Sequence, residues 1–137
     1  LNEEEERKMT EKYVKDFRIK VTGQDQLAGS LSGGNQQKIV IGRSLSTSPK
    51  LVILDEPTRG IDAAARMDVY RIIHKLRAKG VAILLISSDL EEVIELADRA
   101  VTVFNGSING EFPKKEINMD CLTGASFGFN DQREEEK

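Results

Sequence analysis

Cysteine is nearly absent from this chain of 137 residues, and the lone Cys121 can close no internal disulfide. A single histidine stands beside it in the inventory, so no cluster of soft ligands for zinc can assemble, and Cys121 reads as a small, half-buried thiol. Tryptophan is missing and aromatics make up only 5% of the residues, which argues against a surface that stacks nucleic-acid bases. A basic excess is missing too: 20 Lys and Arg face 23 Asp and Glu, with no basic stripe, so electrostatic docking on nucleic acid or anionic lipid is disfavoured. No apolar run approaches the roughly 20 residues that span a bilayer, and the acidic start has none of the features of a signal peptide. These absences point to a cytosolic protein whose apolar share, 39%, is enough for a modest core.

What is present alternates helix and strand. Asn2 can cap a helix over about residues 3–18, with Glu3 to Glu6 at the positive end of its dipole and Met9, Tyr13, Val14 and Phe17 as its apolar stripe. After the polar loop around Thr22-Gly23-Gln24-Asp25, a second helix begins beside Ser32 and runs through Ile39, Val40, Ile41 and Leu45. Leu51 to Leu54 and Val81 to Ile86 are continuous apolar runs, the pattern of parallel strands buried on both faces. Between them a helix carries Ala65, Val69, Ile72, Ile73 and Leu76 on one side and ends at Gly80, leaving His74 on the solvent side with no chemistry assigned. A short helix over 89–96 follows, then two strands around Asn105-Gly106, a two-residue hairpin signal. Residues 113–122 hold one more helix, and Gly124 to Lys137 read as a loose tail.

Two sites stand out on physical grounds. Ser32-Gly33-Gly34 opens a helix, where unpaired backbone N–H groups and the helix dipole favour an anion and small residues let a phosphate approach; Ser32 can cap the helix and donate its hydroxyl. Asp55 and Glu56 end an apolar strand, where open α/β sheets place ligands, and adjacent carboxylates there suit a metal ion and an activated water. Asp62, ahead of the next helix, can cap it.

In sequence, Leu31-Ser-Gly-Gly-Asn-Gln-Gln-Lys38 followed by Leu51-Val-Ile-Leu-Asp-Glu-Pro-Thr58 resembles the signature and Walker B motifs of ATP-binding-cassette ATPases, and the likeness covers nearly the whole chain. The fold class it implies is α/β: a partial P-loop NTPase fold, a parallel sheet with helices plus part of the helical subdomain that carries the signature. No glycine loop ends in Gly-Lys-Ser/Thr; Gly29 and Gly34 have the spacing, but Asn35 and Gln36 follow. With Leu1 in first place, the resemblance implies the C-terminal part of a cassette whose P-loop half is missing. The division expected is a helical portion with the signature over 1–50, the rest of the ATPase core over 51–123 and a flexible tail over 124–137.

The resemblance also implies roles. Ser32, Gly33, Gly34 and Asn35 would contact ATP, Asp55 would hold Mg²⁺ through water, and Glu56 would be the general base. Asp62 matches the D-loop aspartate that communicates across a cassette dimer. Ser88 stands where many cassettes have a histidine at the γ-phosphate, and a serine offers one hydrogen bond but no cationic form. Arg59-Gly-Ile-Asp62, Ile86-Ser-Ser-Asp-Leu-Glu-Glu-Val93 and Gly106-Ser-Ile-Asn-Gly-Glu-Phe112 resemble the C-terminal cassette of fused two-cassette importers for ribose, other monosaccharides or autoinducer-2. That branch implies a second cassette, transmembrane permease subunits and an extracytoplasmic solute-binding protein as partners, no nucleic acid, and a peripheral place on the cytoplasmic face of the cell membrane. The transported substrate cannot be read from these residues. Two alternatives accompany this reading. One is a non-transport cassette ATPase acting on ribosomes or DNA, disfavoured by Arg59-Gly60-Ile61 and the acidic balance. The other is a folded piece that binds ATP weakly, self-associates and has no turnover of its own.

Overall fold

The computed structural model describes residues 2–129 and divides the chain into two compact units, Leu1–Ile86 and Ser87–Lys137. The first unit runs α1 (Glu3–Asp16), a single 3-10 turn (Ala28–Ser30), α2 (Gly33–Leu45), β1 (Leu51–Asp55), α3 (Ala63–Ala78) and β2 (Ala82–Ile86). Asn2 caps α1 by accepting the Glu4 N–H at 3.2 Å, and four glutamates fill its first turn at the positive end of the dipole. Helix α1 is almost wholly exposed and is held at its end by Phe17, whose ring stacks at a tilt on Tyr13 with centroids 5.4 Å apart. A β-carbon at Gly42 would come within 3.2 Å of that Phe17 ring, so the glycine lets α2 lie close beneath it.

Strands β1 and β2 pair in parallel, Leu51 with Ala82 through Asp55 with Ile86, joined by α3 as a β-α-β unit. Helix α3 buries Val69, Tyr70, Ile72, Ile73 and Leu76, and ends at Lys79 and Gly80, where the glycine takes φ 79°. His74 is exposed, as its place on the helix predicts. The strands, however, depart from the expected burial on both faces. Val52 and Leu54 are buried, whereas Leu51 and Ile53 on β1 and Leu84 and Ile86 on β2 are about half exposed, all on the opposite face. A parallel strand is buried twice only when a layer lies on each side, and a run of apolar residues does not say whether both layers are there.

The second unit runs α4 (Leu90–Leu96), β3 (Arg99–Phe104), β4 (Ser107–Pro113), a 3-10 turn (Lys114–Glu116) and α5 (Met119–Ser126). Asn105 and Gly106 have φ of 48° and 78°, the two positive values that a tight type I′ hairpin needs, and β3 and β4 are antiparallel as expected. Register slips at Asn109, the extra residue of a bulge, and its side-chain amide reaches the Ala125 carbonyl at 2.7 Å. Ala100, Ile117 and Leu122 form the core, packed by Leu90, Val93, Ile94, Ala97 and Phe112. Helix α5 runs to Ser126 with Ala125 buried, so Gly124 to Ser126 belong to the packed unit and not to a loose tail; residues 130–137 lie outside the described residues. Cys121 is half-buried on α5, near the Asn118 amide that caps the helix.

One group breaks the rule that buried charge is paired. Glu92 on α4 is fully buried, and among the described residues neither of its carboxylate oxygens has a hydrogen-bond partner. An unsatisfied buried acceptor costs about 1–3 kcal/mol, more if charged. Glu92→Met, which keeps the length and fills the same space, is therefore expected to raise the urea midpoint, worth at least about 1 kcal/mol. An unchanged or lower midpoint would mean that the carboxylate is solvated in solution.

Candidate functional site

The tip of α2 is an ordered loop-to-helix junction. Ser32 is the N-cap residue by backbone, φ −61° and ψ 152°, and its carbonyl accepts the N–H groups of Asn35 and Gln36, both at 2.9 Å. Its side chain does not cap the helix. Instead Ser32 Oγ accepts a hydrogen bond from Asn35 Nδ2 at 2.9 Å, while Asn35 Oδ1 accepts the Lys20 N–H at 3.0 Å. That arrangement uses an oxygen lone pair and leaves the Ser32 proton available to donate outward. Asn35 thus orients Ser32, and both of its amide atoms are engaged in doing so.

The two glycines differ. Gly33 is exposed, with Ile61 Cγ2 at 4.0 Å from where a β-carbon would sit; Gly34 is buried, and its β-carbon would fall 2.3 Å from Ala65 Cβ. The need for glycine at 34 therefore comes from the close approach of α3; a β-carbon at 33 would meet only ordinary contact, and the residue lies on open surface above a helix start whose first amides have no intrahelical acceptor. Gln36 closes the underside by donating to the Leu31 carbonyl at 2.7 Å.

Asp62 caps α3 by accepting the Ala65 N–H at 2.9 Å, so the tip of α2 and the start of α3 meet at Gly34 and Ala65. Ser32, Gly33, Gly34, Asn35 and Asp62 are brought together in this way.

Asp55 and Glu56 form a second group, at the C-terminal end of β1. Asp55 is exposed and Glu56 half-buried. Glu56 donates its backbone N–H to the Ile86 carbonyl at 2.8 Å, and its own carbonyl accepts from Arg59 at 3.1 Å, so it is pinned between the end of β2 and the turn that follows. Its φ is 48°, a left-handed backbone that a glutamate adopts only when its surroundings hold it there, at a cost of about 1–3 kcal/mol. Pro57 and Thr58 behind it are buried, and Gly60 takes φ 74° in the turn to Asp62. Asp55 suits Mg²⁺, which takes one or two carboxylates and completes its shell with water and phosphate oxygens; no cluster of three or more His, Cys, Asp or Glu exists among the described residues.

Ser88 belongs to the second unit and is exposed. Next to it Ser87 Oγ accepts the Asp89 N–H at 3.0 Å, and Asp89 caps α4 through the N–H groups of Glu91 and Glu92.

Sequence reasoning passed over Lys38 and Asp68. Lys38 is 3% exposed and its ammonium meets Asp68 Oδ2 at 3.0 Å. The available signal was the helix period, because Lys38 shares the buried face of α2 with Ile41, Gly42 and Leu45.

Comparison with known proteins follows the same lines. Residues 2–59 match the family model described as ABC transporter. The chain is 42% identical over 130 residues to a ribose import ATP-binding protein of Clostridium perfringens, covering 95% of this chain and 26% of that protein. It is 44% identical over 128 residues to a xylose import ATP-binding protein of Thermoanaerobacter pseudethanolicus, covering 90% of this chain and 25% of the relative. Among solved structures, an ATP-binding cassette of an ABC transporter superposes with a TM-score of 0.80 at 30% identity, covering 94% of this chain and 51% of the cassette. The chain thus spans about a quarter of the length of the curated relatives it matches.

Proposed function

We propose that this chain carries part of an ATP-binding-cassette ATPase domain and serves an importer by closing Ser32, Gly33 and Gly34 over ATP anchored on a second cassette, a reading supported by its likeness to ABC transporter cassettes. The observation that carries the reading is the pre-ordered, exposed tip of α2, where Asn35 fixes Ser32 with its proton free to donate. Donors held in place before charge arrives need no reorganisation when a γ-phosphate is enclosed.

In this reading Asp62 faces the partner cassette and Ser88 offers its hydroxyl on the phosphate side. Asp55 is the residue that would hold Mg²⁺, which when bound neutralises charge on the phosphate oxygens. Glu56 takes the proton of the attacking water as general base, and its pinned backbone limits where its carboxylate can go. Closure of the two half-sites expels water and is the movement passed on to transmembrane permease subunits. The likeness to ribose and xylose import proteins supports a monosaccharide as cargo, delivered by an extracytoplasmic solute-binding protein. The assembly places this chain peripherally on the cytoplasmic face of the membrane; no described helix is long and apolar enough to cross one. With no Gly-Lys-Ser/Thr loop in its sequence, the chain alone binds ATP weakly and does not turn it over.

Ser32→Arg in the full-length subunit tests this. The arginine fills the space above Gly33, so ATP hydrolysis and uptake are expected to fall about a hundredfold, the scale of losing an aligned donor, with nucleotide binding on the partner unchanged. Uptake that survives the substitution would overturn the proposed closure.

A further inference from the structure

We propose that Lys38 and Asp68 are positioning residues that bind the signature helix to the helix behind Asp62, so that the two tips move as one body. The inference rests on the reading that Ser32 to Gly34 close on a phosphate, and adds what sets their aim.

Lys38 is a charged residue in a buried stripe. Its ammonium donates to Asp68 Oδ2 on α3 at 3.0 Å and to the Arg18 carbonyl at 2.9 Å, so one side chain ties α2 both to α3 and to the end of the α1 segment. Asp68 is held from its other oxygen by Arg71, Nη1 to Oδ1 at 2.5 Å, one turn further along α3. Its carboxylate therefore has a fixed direction. About one turn nearer the tips, Gly34 meets Ala65 at a distance that admits no side chain, and Asp62 caps the same turn of α3. The Arg18–Lys20 segment is tied twice, once through Lys38 and once through the Lys20 N–H on Asn35, whose amide also orients Ser32.

Two contacts one turn apart, one of packing and one of charge, fix both the distance and the rotation between α2 and α3. A single contact would leave a hinge. A buried ion pair adds little net stability over a well-packed apolar pair, because desolvating two charges offsets most of their attraction. Its direction is what an apolar pair lacks, since the ammonium must meet the carboxylate and a carbonyl at the same time. Lys38 thus sets the angle at which Ser32 and Gly33 present their donors, and links that angle to Asp62.

The test is amide hydrogen exchange by NMR on this chain, with Lys38→Met, Asp68→Asn and the double variant, alongside urea unfolding. Coupling predicts that Asp68→Asn, made on α3, speeds exchange of the Asn35 and Gln36 amides on α2 about tenfold. Lys38→Met should speed exchange of Ala65 and Arg66 on α3 by a similar factor, and the double variant should exceed neither single one. Amides of β3 and β4 should not change. Ala65→Gly, which removes the packing contact and keeps the charge pair, guards against a Lys38 variant that fails to fold and should loosen the same amides. If exchange rises uniformly in step with a lower urea midpoint, or the tip amides change less than about twofold, the positioning role is wrong. In the full-length subunit the same variants should lower kcat and leave KM for ATP within about twofold. The exchange result needs no nucleotide, so tip coupling without an effect on kcat would count against the proposed ATP closure, not against the coupling.

Discussion

Glu56→Gln in the full-length subunit is expected to lower ATP hydrolysis at the site this residue faces by about 10²–10⁴-fold, the span of a lost general base. Glutamine keeps the length and shape of the side chain but cannot take a proton, so nucleotide affinity and folding should stay as they were. The structure adds a stability expectation. Glu56 sits at φ 48° and its N–H is bonded to the Ile86 carbonyl, both properties of the backbone that the substitution leaves alone. Glu56→Gly separates the two effects: it relieves a left-handed strain of about 1–3 kcal/mol, against about 0.5–1 kcal/mol of added chain entropy, while removing the carboxylate altogether. A variant at least as stable as the parent and equally inactive would mark the strain as held for chemistry. Single-turnover measurements read the chemistry and urea unfolding the stability, and hydrolysis by Glu56→Gln within tenfold of the parent would remove Glu56 from the role of base.

The parts of this molecule that were legible in sequence are those fixed by local chemistry. Asn105-Gly106 can take two positive φ values in a row, and the hairpin is there. Asp62 precedes a helix and caps it, and Asn2 does the same. The helix starting after Ser32 was legible for a similar reason, but the use of its serine was not. A capping hydroxyl and one held by a neighbouring amide look alike in sequence, and only the partner of Asn35, the Lys20 N–H fifteen residues away, decides between them.

What stayed hidden depends on residues far apart in the chain. Lys38 and Asp68 are thirty residues apart, and Gly34 and Ala65 thirty-one, so neither contact has a local signature. The sequence explains the glycine at 34 as letting a phosphate approach the backbone; the structure adds a second reason, the close approach of α3 at Ala65. Glu92 is hidden for the same reason, since a glutamate in the first turn of a helix ordinarily faces solvent beside the positive end of the dipole.

Leu54→Ala and Ile53→Ala, neighbours on one strand, should separate by about 1–5 kcal/mol in urea unfolding of this chain. The sequence run Leu51 to Leu54 treats them as equals. Leu54 is 7% exposed and lies on the same face as Val52, so its truncation loses transfer energy and leaves a cavity, at about 2–5 kcal/mol. Ile53 is 60% exposed on the other face, in register with the half-exposed Leu84, so its truncation removes mostly solvated surface and about 1 kcal/mol or less of strand preference. Replacing each by lysine widens the gap: a charge at 54 has no route to water from a closed face, whereas at 53 it stays hydrated and also blunts an open parallel sheet. Equal losses at the two positions would show that the face bearing Ile53 is covered in solution. The predicted gap follows from the alternation of side chains along β1, in which a step of one residue exchanges core for solvent.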